Sequence, residues 1–308
     1  MAAYRSGVSP AILLFLACSF WGIATVLIKS LLLTIPPVPL LLIQLLASSI
    51  FLWIACLSLG KSLPSGKTLA AAIALGVLNP GISYTFSMLG LERISASVSS
   101  LLWATEPFLI LGLAWLVLKE PITPRVLAVI ACGFAGVLLV SELFAGQGTD
   151  GSDPIGIFFL FLAALMCAVY TVYSRKIGDA VDPLALVTIQ QTAGCVWAAL
   201  LFATTTRANV SQTLTTVPPA ELGIAVLTGL MYYAAAYWLY LAALNRVSAA
   251  LAGGSFNIIP IVTIAVAFVF LGERLTGLQL TGAALIIISA AALFWLSRER
   301  KPVKFEKA

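Results

Sequence analysis

The sequence predicts an all-α polytopic membrane protein: ten transmembrane helices arranged as two inverted five-helix repeats around a central cavity. Three observations predict it. Of 308 residues 61% are hydrophobic and only 9% charged, with a mean hydropathy of +1.07, whereas a water-soluble domain carries roughly 45–50% apolar and about 25% charged residues. Apolar runs close to the ~20 residues that cross a ~30 Å hydrocarbon layer succeed one another with short polar joints. The chain also matches itself at two offsets, 146 and 153 residues.

The runs fall at 10–34, 37–60, 68–90, 95–118, 124–142, 154–174, 184–206, 219–243, 248–271 and 277–297, each bounded by Pro, Gly or charge. Only Arg5 precedes the first, and no small-residue cleavage pattern closes it, so it reads as a retained span rather than a signal peptide. The polar stretches around 143–153 and 207–218 are too short to build a core outside the lipid. With a cytoplasmic N-terminus, the inner joints and the tail hold Arg5, Lys61, Lys67, Lys119, Arg125, Arg175, Lys176, Arg246, Arg298, Arg300, Lys301, Lys304 and Lys307, and the outer joints hold Lys29, Arg93, Arg207 and Arg274. Thirteen against four, or eight against four without the tail, places both termini in the cytoplasm.

The repeat is read directly. At offset 146, Phe15-Leu16-Ala17 meets Phe161-Leu162-Ala163, Thr25 meets Thr171, Lys29 meets Arg175, and Gln44 meets Gln190. At offset 153, Gly76 meets Gly229, Tyr84 meets Tyr237, Arg93 meets Arg246, Pro107 meets Pro260, Glu120 meets Glu273 and Thr123 meets Thr276. The units are 10–142 and 154–297, followed by a basic cytoplasmic tail, 298–308. An odd number of spans per unit makes the second enter from the opposite side, and such inverted pairs suit alternating access at a midplane site.

Composition excludes whole classes of chemistry. There is no histidine, which removes His-based zinc sites and Ser-His dyads. Asp150, Asp153, Asp179 and Asp182 all sit in polar joints, so no intramembrane aspartyl pair exists. Cys18, Cys56, Cys132, Cys167 and Cys195 stand singly in apolar runs and read as packing residues, not as a disulfide or metal framework. Gly60-Lys61-Ser62 ends like a phosphate-binding loop, but the required glycine five positions earlier is Ala55. The sequence therefore predicts a non-enzyme with no cofactor and no metal. The net charge of +5 caps apolar runs and forms no basic face, so the expected partners are the lipid bilayer and a small-molecule substrate, not nucleic acid. Monomer or homodimer is left open.

Polar groups at membrane depth mark a path or a helix contact. Glu106 is the one carboxylate near the centre of a span, and its repeat partner is Ile259; it reads either as a proton-coupling or ammonium-binding group or as a neutral acid satisfying the carbonyl that Pro107 frees. Ser99, Trp103 and Glu106 share a helical face, as do Trp21, Thr25 and Lys29, the last reading most simply as a lysine snorkelling to headgroups. Asn79-Pro80-Gly81, with Ser83 beyond, interrupts the third run; Gly253-Gly254-Ser255-Phe256-Asn257 before Pro260 is read as the counterpart in the ninth. Paired breaks point to a binding site, kinks that merely shape packing being the alternative. Tyr233, Tyr237 and Tyr240 form a stripe in the eighth run with Tyr232 beside it, and Tyr170 and Tyr173 lie in the sixth. With Tyr84 these complete the candidate substrate-binding set: Trp21, Asn79, Ser83, Tyr84, Ser99, Trp103, Glu106, Tyr170, Tyr233, Tyr237, Ser255 and Asn257. Ring faces and a carboxylate suit an apolar or aromatic solute bearing an ammonium.

The stretch from Glu106-Pro107 to Glu120 and its partner from Pro260 through Gly272-Glu273-Arg274-Leu275-Thr276 resemble the ends of the fourth and ninth helices in EamA-type members of the drug/metabolite transporter superfamily, over the whole chain. Aromatic content and the lack of phosphate-binding charges are most similar to YddG-type exporters of aromatic amino acids in bacterial inner membranes. The resemblance implies a ten-helix basket, its cavity lined by the first, third, fourth, sixth, eighth and ninth helices with the fifth and tenth as supports. It implies secondary export of small amphipathic metabolites, aromatic or neutral amino acids first. The alternatives are a lipophilic-cation exporter and a carrier of nucleotide sugars or other phosphorylated metabolites; the latter needs deep Lys or Arg, which only Lys29 approaches.

Overall fold

A computed structural model describes residues 9–118, 123–141, 153–177, 181–205, 217–244 and 255–298. Among these every element is a helix. They are α1 (Pro10–Leu31), α2 (Pro37–Ser58), α3 (Gly66–Gly76, a π-helical stretch Val77–Ile82, then Ser83–Arg93), α4 (Ala96–Trp103), α5 (Glu106–Leu118) and α6 (Pro124–Ser141). Then follow α7 (Pro154–Ile177), α8 (Pro183–Thr205), α9 (Pro219–Thr228, a π-helical stretch Gly229–Ala235, then Ala236–Leu244), α10 (Ile258–Phe270) and α11 (Gly277–Arg298).

Proline opens six of these helices, at the position where its missing N–H costs nothing and its fixed φ favours the first turn. Short polar side chains complete several starts. Asp153 Oδ1 accepts from Ile155 N at 2.9 Å, and Asp182 Oδ1 from Leu184 N at 3.0 Å. At α11, Thr276 Oγ1 accepts from Gln279 N while Gln279 Oε1 accepts from Thr276 N, a reciprocal cap.

Eight helical stretches are long and apolar enough to cross a membrane, the fourth running from Ala96 to Leu113; two shorter apolar helices, Ile258–Phe270 and Gly277–Ala292, follow. The sequence predicts ten spans of full length. The difference lies in the ninth run, of which residues 248–254 fall outside the described residues, and in the tenth, whose qualifying stretch is shorter. Large side chains such as Ile54, Leu127 and Phe270 point outward, as a lipid-facing surface permits.

Close packing follows a reciprocal pattern. α2 packs on the π stretch of α9, and α8 on the π stretch of α3. A Cβ on Gly76 would stand 2.5 Å from Gln190 O, and one on Gly229 would stand 2.6 Å from Gln44 O. These are the glycines and glutamines that the two offsets pair. α6 and α11 pack chiefly on each other, as expected of supports, through Gly136 and Gly282: a Cβ on either would meet the other's carbonyl at 2.8 or 2.6 Å. Small residues let two backbones touch where no hydrophobic effect drives helices together.

A direct test compares two glycines of α9. Gly229→Val would drive a branched side chain into the α2 backbone and should destabilise by about 1–3 kcal/mol or more, read as a lower melting temperature in detergent. Gly223→Val, where nothing lies within 4 Å, should leave the melting temperature unchanged.

Candidate functional site

The helices that meet at the centre are those whose regular hydrogen bonding fails. Asn79, before Pro80, leaves helical geometry at φ −146°, ψ 115°, as a residue preceding proline tends to. The opposite π stretch, 229–235, occupies the equivalent place in α9 and carries Tyr232 and Tyr233. α4 ends at Trp103 because Pro107 cannot donate to the Trp103 carbonyl; Thr105 N turns back to Leu102 O at 3.1 Å and its hydroxyl does the same at 2.6 Å. A matching turn at Phe256-Asn257 precedes α10. Each break therefore has its own partner: α3 with α9, and α4–α5 with the start of α10. The sequence-based pairing sets the third run's break against the ninth run; among the described residues the third run's break also has a counterpart in the π stretch of α9, which needs neither Pro nor Gly-Gly and leaves no motif. Gly253 and Gly254 lie outside the described residues.

Around these breaks the aromatic rings form one connected cluster. Trp21 packs edge-on to Tyr237 at 5.3 Å between ring centres and to Tyr240 at 5.7 Å, and its indole N–H donates to the Tyr232 carbonyl at 3.1 Å. Tyr84 stacks on Trp103 at 5.8 Å and meets Tyr232 and Tyr233 edge-on at 5.5 and 5.1 Å. The hydroxyls of Tyr84 and Tyr237, 153 residues apart and paired by the repeat, share a 2.8 Å hydrogen bond. Beside them lies a cavity of about 10 Å³ lined by Thr25, Tyr84, Ser87, Ser99, Trp103 and Tyr233 among others. That is room for about one water centre. The Tyr233 hydroxyl is fully buried and meets no hydrogen-bond partner among the described residues.

Tyr84, Ser99, Trp103 and Tyr233 thus converge as the sequence suggests, with Trp21 and Tyr237 one ring away. Others lie apart. The turn at Ala104-Thr105 breaks the shared face, so Glu106 does not follow Ser99 and Trp103 to the cavity. It approaches α7 instead, where Thr171 Oγ1 donates to Glu106 Oε1 at 3.4 Å and the Cys167 thiol bonds to it. Tyr170 donates to Gln190 Oε1 at 2.8 Å, and Ser83 to Ala163 O at 2.9 Å. Ser255 takes the Cys18 thiol at 3.7 Å, Asn79 is buried near α8 with Oδ1 unpaired among the described residues, and Asn257 is half-buried beside α10. Among the described residues no group of His, Cys, Asp and Glu side chains could hold a metal ion.

Sequence reasoning missed the contacts that hold the turn between α3 and α4. The ammonium of Lys29 donates to Leu91 O at 2.9 Å and Glu92 O at 3.0 Å, satisfying carbonyls at the end of α3. Glu273, beyond α10, accepts from Ala96 N at 2.8 Å, Ser97 N at 2.9 Å and Ser97 Oγ at 2.6 Å, capping α4. Two opposite charges from α1 and the α10–α11 joint therefore grip the single turn between α3 and α4. The repeat match of Glu120 with Glu273 was the only signal in the sequence.

A model of the EamA-like transporter family matches residues 8–142 and again 154–295. The chain belongs to that family. It is 28% identical over 296 residues to the uncharacterized transporter YvbV of Bacillus subtilis (strain 168), covering 94% of this chain and 93% of the relative. It is 25% identical to Protein PecM of Dickeya dadantii (strain 3937), covering 80% and 83%, and 23% identical to the WAT1-related protein At3g02690, chloroplastic, of Arabidopsis thaliana, covering 88% and 66%. One crystal structure superposes with a TM-score of 0.69 at 20% identity, over 97% of this chain and all of the other, which shows the fold alone. The EamA-like chain is accordingly a multi-pass membrane protein of a transporter family.

The grip on the α3–α4 turn is open to test by thiol labelling. Removing both carboxylate oxygens, and with them three hydrogen bonds, Glu273→Ala should loosen that end and raise the labelling rate of a cysteine placed at Ser87 several-fold with a membrane-impermeant maleimide. Glu273→Gln, which keeps one acceptor oxygen, should fall between Glu273→Ala and the parent.

Proposed function

We propose that this protein is a secondary transporter of the bacterial inner membrane that exports small amphipathic metabolites, aromatic or neutral amino acids foremost, by alternating access. The observation that carries this reading is the polar-aromatic cavity and the ring cluster beside it, where the hydroxyls of Tyr84 and Tyr237, one from each half, are hydrogen-bonded and the Tyr233 hydroxyl has no partner among the described residues. Ring edges and faces recognise an apolar or aromatic body, and hydroxyls recognise its polar end. At about 10 Å³ the cavity admits no such solute, so loading requires the halves to part.

The reciprocal seating of Gly76 on Gln190 and Gly229 on Gln44 supports two units, 10–142 and 154–297, threaded in opposite senses through ten spans. Such a pair supplies two similar gates around one site. In this reading both termini are cytoplasmic, with 298–308 as a basic tail, and the grip of Lys29 and Glu273 closes the outer gate. The YddG-type aromatic amino acid exporters are the expected subtype. A lipophilic cation is the second reading, in which aromatic ring faces and the carboxylate of Glu106 would recognise the positive charge. A phosphorylated solute is disfavoured, since Lys29 already gives two of its three donors to backbone carbonyls. The partners are a small-molecule substrate and the bilayer, with no cofactor and no nucleic acid.

Counterflow in liposomes with labelled Phe, Thr and a lipophilic cation tests the reading: Phe should exchange fastest, and exchange of the cation alone would replace it with the second. Trp103→Ala and Tyr237→Ala should slow Phe more than Thr. At ~0.5–1.5 kcal/mol per aromatic contact, the difference should be roughly three- to tenfold; equal losses would remove the aromatic site. Glu106→Gln should keep its fold and flatten the pH dependence of exchange between about pH 5 and 8, and an unchanged profile would remove Glu106 from coupling.

A further inference from the structure

A second cavity, of about 250 Å³, opens on the flank of the molecule between α4, α6 and α7. Leu102 and Thr105 form its floor, Phe134 and Val137 one wall, Phe158 and Phe161 the other. It exists because α4 stops short: the turn after Trp103 shifts the chain and leaves a gap. The turn spends its polar group internally, Thr105 Oγ1 donating to Leu102 O at 2.6 Å, so what the cleft presents is hydrocarbon. Phe134, Phe158 and Phe161 are all partly exposed at its mouth.

An apolar space of this size does not hold water and forfeits dispersion contacts unless something fills it. All three helices belong to stretches long and apolar enough to cross a membrane, where the surrounding medium would be acyl chain. The cleft runs down α7 from Pro154 to Phe161, seven residues or roughly 10 Å at ~1.5 Å per residue, which fits inside one leaflet of ~15 Å. Next in sequence to Pro154, which lines the cleft, Asp153 Oδ2 stands 3.4 Å from Nη1 of Arg93, whose side chain also packs by Gly156 of α7. One long contact leaves most of a guanidinium's five N–H donors for a phosphate.

We propose that this cleft is a binding site for a membrane glycerophospholipid, one acyl chain lying between α4, α6 and α7 and the headgroup phosphate held by Arg93. The chain buttresses the α4–α5 break from outside, on the side opposite the aromatic cluster, and so helps to position Trp103. The inference concerns the lipid-facing flank and stands whether or not the solute proposed above is the one carried.

The test uses the full chain purified in detergent and stripped of lipid, with phosphatidylglycerol bearing 16- or 18-carbon tails as the probe. Native mass spectrometry should show one phospholipid returning per chain and the melting temperature rising with it. Val137→Trp, which fills the cleft, should abolish both effects, and Arg93→Gln should weaken binding several-fold while sparing the tail contacts. Retention of lipid by Val137→Trp at the parent level would overturn the site, and equal stabilisation by an alkyl maltoside would overturn the role of the phosphate. Should Val137→Trp not fold, phosphatidylglycerol carrying a photoreactive acyl chain decides on the parent protein. Labelling within 134–137 and 157–161 supports the site, and labelling spread evenly over other spans refutes it.

Discussion

A peptide N–H or C=O without a partner in hydrocarbon costs several kcal/mol, and every feature of this protein is arranged around that cost. It makes helix the element of every described span. It also makes each departure from regular helix expensive, so departures persist only where another part of the protein meets the freed groups. Trp21 meets the Tyr232 carbonyl within the π stretch of α9, and Thr105 meets the Leu102 carbonyl behind the α4–α5 break. The irregular backbone and the polar side chains that tolerate it are thereby gathered in the middle of the molecule, where a transport site belongs.

Helix ends obey the same rule with charge. The turn between α3 and α4 brings four unsatisfied carbonyls of one helix next to four unsatisfied amides of another. Lys29 and Glu273 answer the two ends with opposite charges, matched to the two helix dipoles. This closure is made of charge-assisted hydrogen bonds over short range, strong when formed and lost together when the turn moves. The aromatic cluster differs in kind. Its contacts are broad and weakly directional. A directional clasp at one end and an adaptable packing at the centre are what a carrier that must open and close requires.

Much of this was legible in the sequence because hydrophobic run length and internal offsets are one-dimensional signals. Outside the ninth run the apolar runs mark the described helices to within a few residues, and the residues paired by the offsets meet in space: Tyr84 with Tyr237 directly, and Gly76 and Gly229 crosswise with Gln190 and Gln44. Asn79-Pro80-Gly81 announced its break, since proline and glycine carry their backbone constraints wherever they stand. The π stretch at 229–235 announced nothing, because widening a turn takes no special residue. Glu106 was legible as an unusual carboxylate but misplaced on the face of Trp103, since periodicity assumes an unbroken helix.

The sequence by itself determined that the chain lives in lipid, how many apolar runs it has, that it is a duplication, and which residue types can offer polarity at depth. Those follow from transfer energies of side chains and from spacing along the chain. Only the tertiary structure decided which polar groups share a space: that Lys29 and Glu273, 244 positions apart, grip one turn, and that Tyr84 bonds Tyr237 while Glu106 turns to Thr171. Such partnerships depend on the relative rotation and depth of helices. Van der Waals fit at a few glycines fixes those quantities, and no local propensity encodes them.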